Sequence, residues 1–154
     1  MSTVDSNSTL EQSREWLRKH LNDGARCPCC SQFAKIYRRK INAGMARSLI
    51  EMWQVAGCDW VHLPTAIGAR SREEGKLAYW ALVEESTEPR DDGGRAGWWR
   101  VTPKGRAFVA GLTRVPKYAH IYDGRCLGFD DTELVGIRDC LGSRFNYDDL
   151  MGGI

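Results

Sequence analysis

The sequence predicts an α+β protein built as one compact domain with short appendages, and three observations carry that expectation. The chain has 154 residues, 42% of them hydrophobic and 27% charged, which suits a single core and leaves no room for two ordinary catalytic domains. Apolar residues alternate between helical spacing and short β-branched or aromatic runs. Gly, Pro and Asp clusters separate these segments at turn-like intervals, and no internal repeat is present.

Residues 1–8 are small and polar and are expected to be a disordered tail. Thr9 or Ser8 can cap a first helix from about Leu10 to Asn22, in which Leu10, Leu17 and Leu21 share a face and Gly24 is the stop. Cys27-Pro28-Cys29-Cys30 follows as a turn. FAKIYRRKI, residues 33–41, has strand composition, with a helix as the alternative. These pieces, residues 9–42, form an N-terminal helix and Cys-containing turn.

Asn42 can cap the next helix, where Met45, Leu49, Met52 or Trp53, and Ala56 recur at helical spacing until Gly57. Asp59 to Leu63 reads as a short strand stopped by Pro64, which opens a small helix over Thr65 to Gly68. REEGKLAYWALVEE after Ser71 predicts a helix over 71–82 with Leu77, Ala81 and Leu82 inward and Gly75 weakening its middle. Val83 to Glu85 and GWWRVT then make two strands around a polar tip, STEPRDDGGRAG. Pro103 opens a last core helix with Phe108 and Leu112 inward.

The remainder, residues 113–154, is expected to be a hairpin-helix appendage. Tyr118 to Tyr122 and Arg125 to Phe129 flank Asp123-Gly124, a strong type I′ hairpin signal because both central residues need positive φ. Thr132 to Leu141 reads as a short helix and Tyr147 to Met151 as one more turn.

From Ala43 to Leu112 this order of elements resembles a winged helix-turn-helix domain. KLAYWALVEE followed by RAGWWRVTPKGRAFVAGL is similar to the recognition-helix, wing and following-helix stretch of MarR-like bacterial regulators. The whole chain also resembles small proteins of bacteriophages and prophages, through CPCC near the front, the wing in the middle and the VPKYAHIYDGRCLGF hairpin. The resemblance implies that the helix before the wing enters a major groove, with Arg70, Arg72 and Lys76 as donors, while Arg90 and Arg95 on the wing reach a neighbouring phosphate. Glu73 and Glu74 at the same helix start depart from a strong DNA reader, since they repel phosphate. A winged helix with an acidic recognition face can instead bind protein.

Charge distribution supports a polyanion partner. The formal net charge is only +2, but residues 24–50 and 93–122 each carry six basic residues and no acidic one, whereas residues 129–154 carry six acidic residues. Two acid-free basic stretches provide the counterion-releasing contacts that nucleic acid requires; a solvated surface of fluctuating composition is the other reading. Arg38, Arg39, Lys40, Arg70, Arg72, Lys76, Arg95 and Arg100 are the candidate contacts with duplex DNA or another nucleic acid. A non-catalytic phage or prophage regulator is the leading expectation; the alternative is a phage-encoded factor that docks on a host or defence protein complex such as CRISPR machinery.

Cys27 and Cys30 have the C-x-x-C spacing that lets two thiolates grip one zinc, and are the candidate metal ligands. A full set would need Cys58 and His62, or Cys29 and His20, to join them after folding; a reduced, metal-free turn is the other reading. No signal peptide or long apolar run is present at the start or elsewhere, so a cytoplasmic location in a bacterial host, no membrane partner and no disulfides are expected. Trp53, Trp80 and Trp99 are assigned to the core, and Trp16, Trp60 and Trp98 are the candidates for base stacking. The acidic end, with Asp130, Asp131, Asp148 and Asp149, reads as a solvated face. Catalytic motifs such as H-E-x-x-H, G-x-S-x-G and the P-loop are missing from the sequence, which disfavours an enzyme.

Overall fold

The structure, a computed structural model, describes residues 4–63, 74–86 and 97–152. It is a mixed α+β fold with antiparallel sheets. Residues 5–8 form a turn: the Ser8 N–H donates to the Asp5 carbonyl at 3.1 Å and the Asp5 N–H to Ser8 Oγ at 3.0 Å. Helix α1, Leu10–His20, then starts on a capping box. Thr9 Oγ1 accepts from the Gln12 N–H at 3.1 Å and Gln12 Oε1 accepts from the Thr9 N–H at 2.8 Å, which satisfies two otherwise orphaned donors. Strands β1, Ala25–Arg26, and β2, Phe33–Ala34, make a two-stranded ribbon around the Cys-containing turn. FAKIYRRKI is therefore extended, and it continues as β3, Tyr37–Lys40.

Helix α2, Ala43–Ala56, forms where the capping chemistry places it. Asn42 Oδ1 accepts from the Met45 N–H at 2.9 Å, and Met45, Ala46, Leu49, Ile50 and Met52 are buried along one stripe. Strands β4, Val61–His62, β5, Val83–Glu85, and β6, Trp98–Val101, form a sheet of order β4-β6-β5. The small helix expected over 65–68 and the wing tip lie outside the described residues.

The helix expected over 71–82 is, where described, a 3₁₀-helix over Glu74–Trp80. Gly75 sits where a Cβ would stand 3.1 Å from the Trp99 ring, and Ala81, at φ 58°, turns the chain into β5. Leu77, Trp80 and Leu82 are buried, as expected, whereas Ala81, expected inward, is exposed at the turn. Helix α3, Pro103–Val109, is capped by Thr102, whose Oγ1 accepts from the Gly105 N–H at 3.0 Å. It ends in a Schellman motif: Gly111, at φ 76°, donates to the Phe108 carbonyl at 3.0 Å and Leu112 to the Ala107 carbonyl at 2.8 Å. That early stop corrects the inward placement of Leu112, which is 80% exposed, while Phe108 is fully buried. Trp53 and Trp99 are also only partly buried against the core.

Strands β7, Val115–Tyr122, and β8, Arg125–Val135, form the long hairpin, with β3 on its other side in the order β3-β7-β8. Asp123 at φ 51° and Gly124 at φ 72° make the turn that the sequence predicts. Thr132 to Val135, expected to be helical, instead extends β8, because Leu134 and Val135 pair with Pro116 and Val115. Helix α4, Ile137–Leu141, starts only after Gly136, and α5, Tyr147–Gly152, follows.

One hydrophobic cluster runs through Leu49, Leu77, Val101 and Phe108 and on into Val115, Ala119, Ile121, Val135, Ile137 and Leu141. Each fully buried aliphatic or aromatic side chain in it contributes roughly 1.5–3 kcal/mol. The segment expected as an appendage thus shares the core of residues 43–112. Among the described residues, no helix is long and apolar enough to cross a membrane.

Candidate nucleic-acid interface

Strand β3 is an edge strand whose four residues are all exposed. Side chains alternate along it, Arg38 and Lys40 on one face and Arg39 on the other, and at a sheet edge both faces border the space beside the strand. Consecutive cations on such an edge also keep it from pairing with another chain.

A groove of about 190 Å³ opens beside this strand, lined by Arg38, Arg39 and Lys40 from β3, Asn42 and Met45 from the start of α2, and Lys76, Tyr79 and Trp80 from the 3₁₀-helix. Charged residues far apart in the sequence thus converge on one depression with an aromatic wall. The Trp80 ring is almost wholly buried, so Tyr79 is the aromatic group with partial access to solvent. Tyr79 Oη donates to the Gly124 carbonyl at 3.1 Å, which ties the 3₁₀-helix to the hairpin tip.

The cations differ in how they are held. Arg38 Nε donates to Asp130 Oδ2 at 2.9 Å, and its guanidinium lies 3.7 Å from the Tyr118 ring centroid. The Asp130 carboxyl lies below the usual carboxylate range because Thr132 donates to it through its hydroxyl and its N–H, at 2.7 and 3.2 Å, and Arg38 adds to the effect. Arg38 is therefore a positioned guanidinium with part of its charge neutralised. Arg39 lies 5.7 Å from the Tyr37 ring centroid, and neither Arg39 nor Lys40 pairs with a carboxylate among the described residues.

Arg100 does not join this groove. It lies on β6 opposite Glu84, and its Nε donates to that carboxylate while the guanidinium stacks 4.5 Å from the Trp60 ring centroid. Arg70, Arg72 and Arg95 fall outside the described residues. Trp60 is 38% exposed, and Trp16 stacks on His20 with centroids 4.2 Å apart. Sequence reasoning does not assign Asn42, Met45, Tyr79 or Trp80 to a binding site. Their helical or capping pattern signals a core or a helix start, and only the packing puts them beside β3.

The Cys-containing turn is closed by the Ser31 N–H donating to the Cys27 carbonyl at 2.9 Å and the Cys27 N–H donating to the Gln32 carbonyl at 2.8 Å. Cys27 is half-buried, whereas Cys29 and Cys30 are exposed. Backbone N–H groups of Cys29 and Cys30 aimed at the Cys27 sulfur lower its pKa. Such N–H···S contacts favour a thiolate, as a metal ligand requires. The expected zinc set is not completed, however: among the described residues, no three His, Cys, Asp or Glu side chains stand where they could hold one ion. His20 Nδ1 is occupied by the Trp16 carbonyl at 2.7 Å, and His62 packs against Trp98. At the acidic end, Asp148 pairs with Arg138 at 3.0 Å.

Comparison with protein-family models, with curated proteins and with solved structures finds no match for this chain.

Proposed function

We propose that this chain is a non-catalytic, winged-helix regulator of phage or prophage origin that binds duplex nucleic acid in the bacterial cytoplasm. The observation that carries the reading is the convergence of Arg38, Arg39, Lys40 and Lys76 on one groove beside Tyr79. Phosphate contacts from such a cluster supply affinity, and an adjacent aromatic face suits a sugar or base edge. The sheet order β4-β6-β5, with a long polar connection between β5 and β6, supports the winged-helix part of the reading. The phage setting rests on the sequence resemblance alone.

The test is fluorescence anisotropy of a random duplex titrated with the full chain over a range of salt concentrations. Log affinity should fall linearly with log salt, and Arg39→Ala combined with Lys76→Ala should reduce the slope by roughly one for each phosphate that is no longer neutralised. Arg100→Ala should leave the slope unchanged, since its guanidinium is committed to Glu84 and Trp60. Absent binding at low salt would discard this reading in favour of a protein-docking factor acting on a host or defence complex.

A further inference from the structure

A second and larger depression lies beyond the end of β3. It is a cavity of about 800 Å³ between the end of β3, the start of α2, the open ends of β7 and β8, and α4. That volume lies within the range of small-ligand sites. Five cationic side chains line it: Lys40, Arg114, Lys117, Arg138 and Arg144.

The two carboxylates on its wall have partners. Asp139 Oδ2 accepts from the Gly136 N–H at 2.8 Å, and Glu133 accepts from Lys117 Nζ at 3.4 Å. Arg138 is held by Asp148, but both side chains are more than 60% exposed, so solvent screens that pair and an incoming anion can compete for the guanidinium. Lys40 and Arg114 make no ion pair among the described residues. The Cys140 thiol, also on the wall, stays neutral because burial pushes it up to about 12, so it supplies no counter-charge. The N-cap Asn42 and the first residue, Ala43, of the 14-residue helix α2 open on the same space and add the positive end of its dipole.

We infer that this cavity is a binding site for a compact ligand bearing two or more phosphate groups, with Arg114 as its principal anchor and Lys117, whose contact with the half-exposed Glu133 is long at 3.4 Å and open to exchange, as the second. A single phosphate is too small to meet cations spread around a space of this size, whereas a di- or triphosphate can bridge them. Arginine forks and lysine ammonium groups are the donors such a ligand needs. The inference stands apart from the nucleic-acid reading, although Lys40 borders both depressions and would couple them.

The experiment is isothermal titration calorimetry of the full chain at about physiological ionic strength, with inorganic phosphate, pyrophosphate and tripolyphosphate as the probes. Tripolyphosphate should bind most tightly and phosphate most weakly. Arg114→Ala and Lys117→Ala should each weaken tripolyphosphate by roughly tenfold, as removal of one charge-assisted hydrogen bond implies. Arg114→Lys should recover part of the loss, and thermal melts of each variant separate a binding defect from misfolding. Arg39→Ala, which touches only the groove, should leave the affinity unchanged.

Three results would overturn the proposal. One is no heat from tripolyphosphate at millimolar concentration. Another is an equal loss from Arg39→Ala, which would mean diffuse attraction. The third is a duplex affinity that falls in Arg114→Ala while tripolyphosphate affinity does not, which would make the cavity a continuation of the nucleic-acid path. Failure of duplex binding with intact tripolyphosphate binding would instead remove only the groove reading.

Discussion

The indole N–H of Trp80 donates to the carbonyl oxygen of Pro116 at 2.7 Å, which ties the 3₁₀-helix to the start of β7. The Trp80 ring is 1% exposed and tilts against Phe129, with centroids 6.1 Å apart. One side chain thus joins the 3₁₀-helix to both strands of the hairpin, in the sheet that carries the basic edge strand. Trp80→Phe keeps most of the ring but leaves the Pro116 carbonyl without this donor. The expected cost is about 1–3 kcal/mol for the unpaired acceptor, with a further loss from the unfilled volume. Urea denaturation of the two proteins measures it. A difference under about 0.5 kcal/mol would mean that water replaces the indole at no cost and that the bond does not fix the 3₁₀-helix on the hairpin.

The packing of α3 under β5 gives a sharper expectation. A Cβ added at Gly105 would stand 2.0 Å from the Leu82 carbonyl oxygen and 2.8 Å from Val101 Cγ1. The Leu82 carbonyl cannot swing away freely, because it already accepts from the Thr102 N–H at 3.1 Å. Gly105→Ala should therefore destabilise the fold by about 3 kcal/mol or more, at the upper end of overpacking costs. Gly44→Ala is the natural comparison: its Cβ would meet only Asn42 Oδ1, at 3.4 Å, and alanine's helix propensity favours the change by up to about 1 kcal/mol. Thermal melts should move in opposite directions for the two variants. Equal melting temperatures would show that α3 sits farther from β5 than these distances imply.

The same packing explains which features are legible in the sequence. Thr9 and Asn42 each cap the helix that follows, Pro103 opens another, and Asp123-Gly124 forms its turn, because the chemistry lies within four residues of the feature. The α-helix expected through Gly75 is a 3₁₀-helix where described, and the close approach of the Trp99 ring to Gly75 is a non-local contact with no local sequence signal. The helix expected from Thr132 fails because β7 offers those residues a ladder. Among the candidate contacts, the Arg38–Lys40 run is visible as charge, but its meeting with Lys76 and Tyr79 depends on how the 3₁₀-helix packs on the hairpin. Arg100 is a candidate by charge alone. Its cross-strand neighbour, Glu84, is identified only by the β5–β6 register.

Two cysteines in opposite environments give the last prediction. Backbone N–H groups of Cys29 and Cys30 stabilise the Cys27 thiolate and hold its pKa below the ordinary value. Burial, reinforced by the Asp139 charge, pushes Cys140 up to about 12. Alkylation requires the thiolate. For Cys27 the lowered pKa means that the reactive form is populated at a lower pH, so its labelling rate should reach its plateau early on an ascending pH series. Cys140 should gain almost no thiolate until the pH approaches its raised value, so it should remain unlabelled from about pH 6 to about pH 9 while the fold is intact. Brief pulses of iodoacetamide across that range, followed by peptide mass spectrometry, read the two sites in one sample. Adding denaturant should bring Cys140 to the rate of an ordinary thiol and erase the advantage of Cys27. Equal labelling of the two in the folded chain would contradict both the closed turn at Cys27 and the burial of α4 against the core.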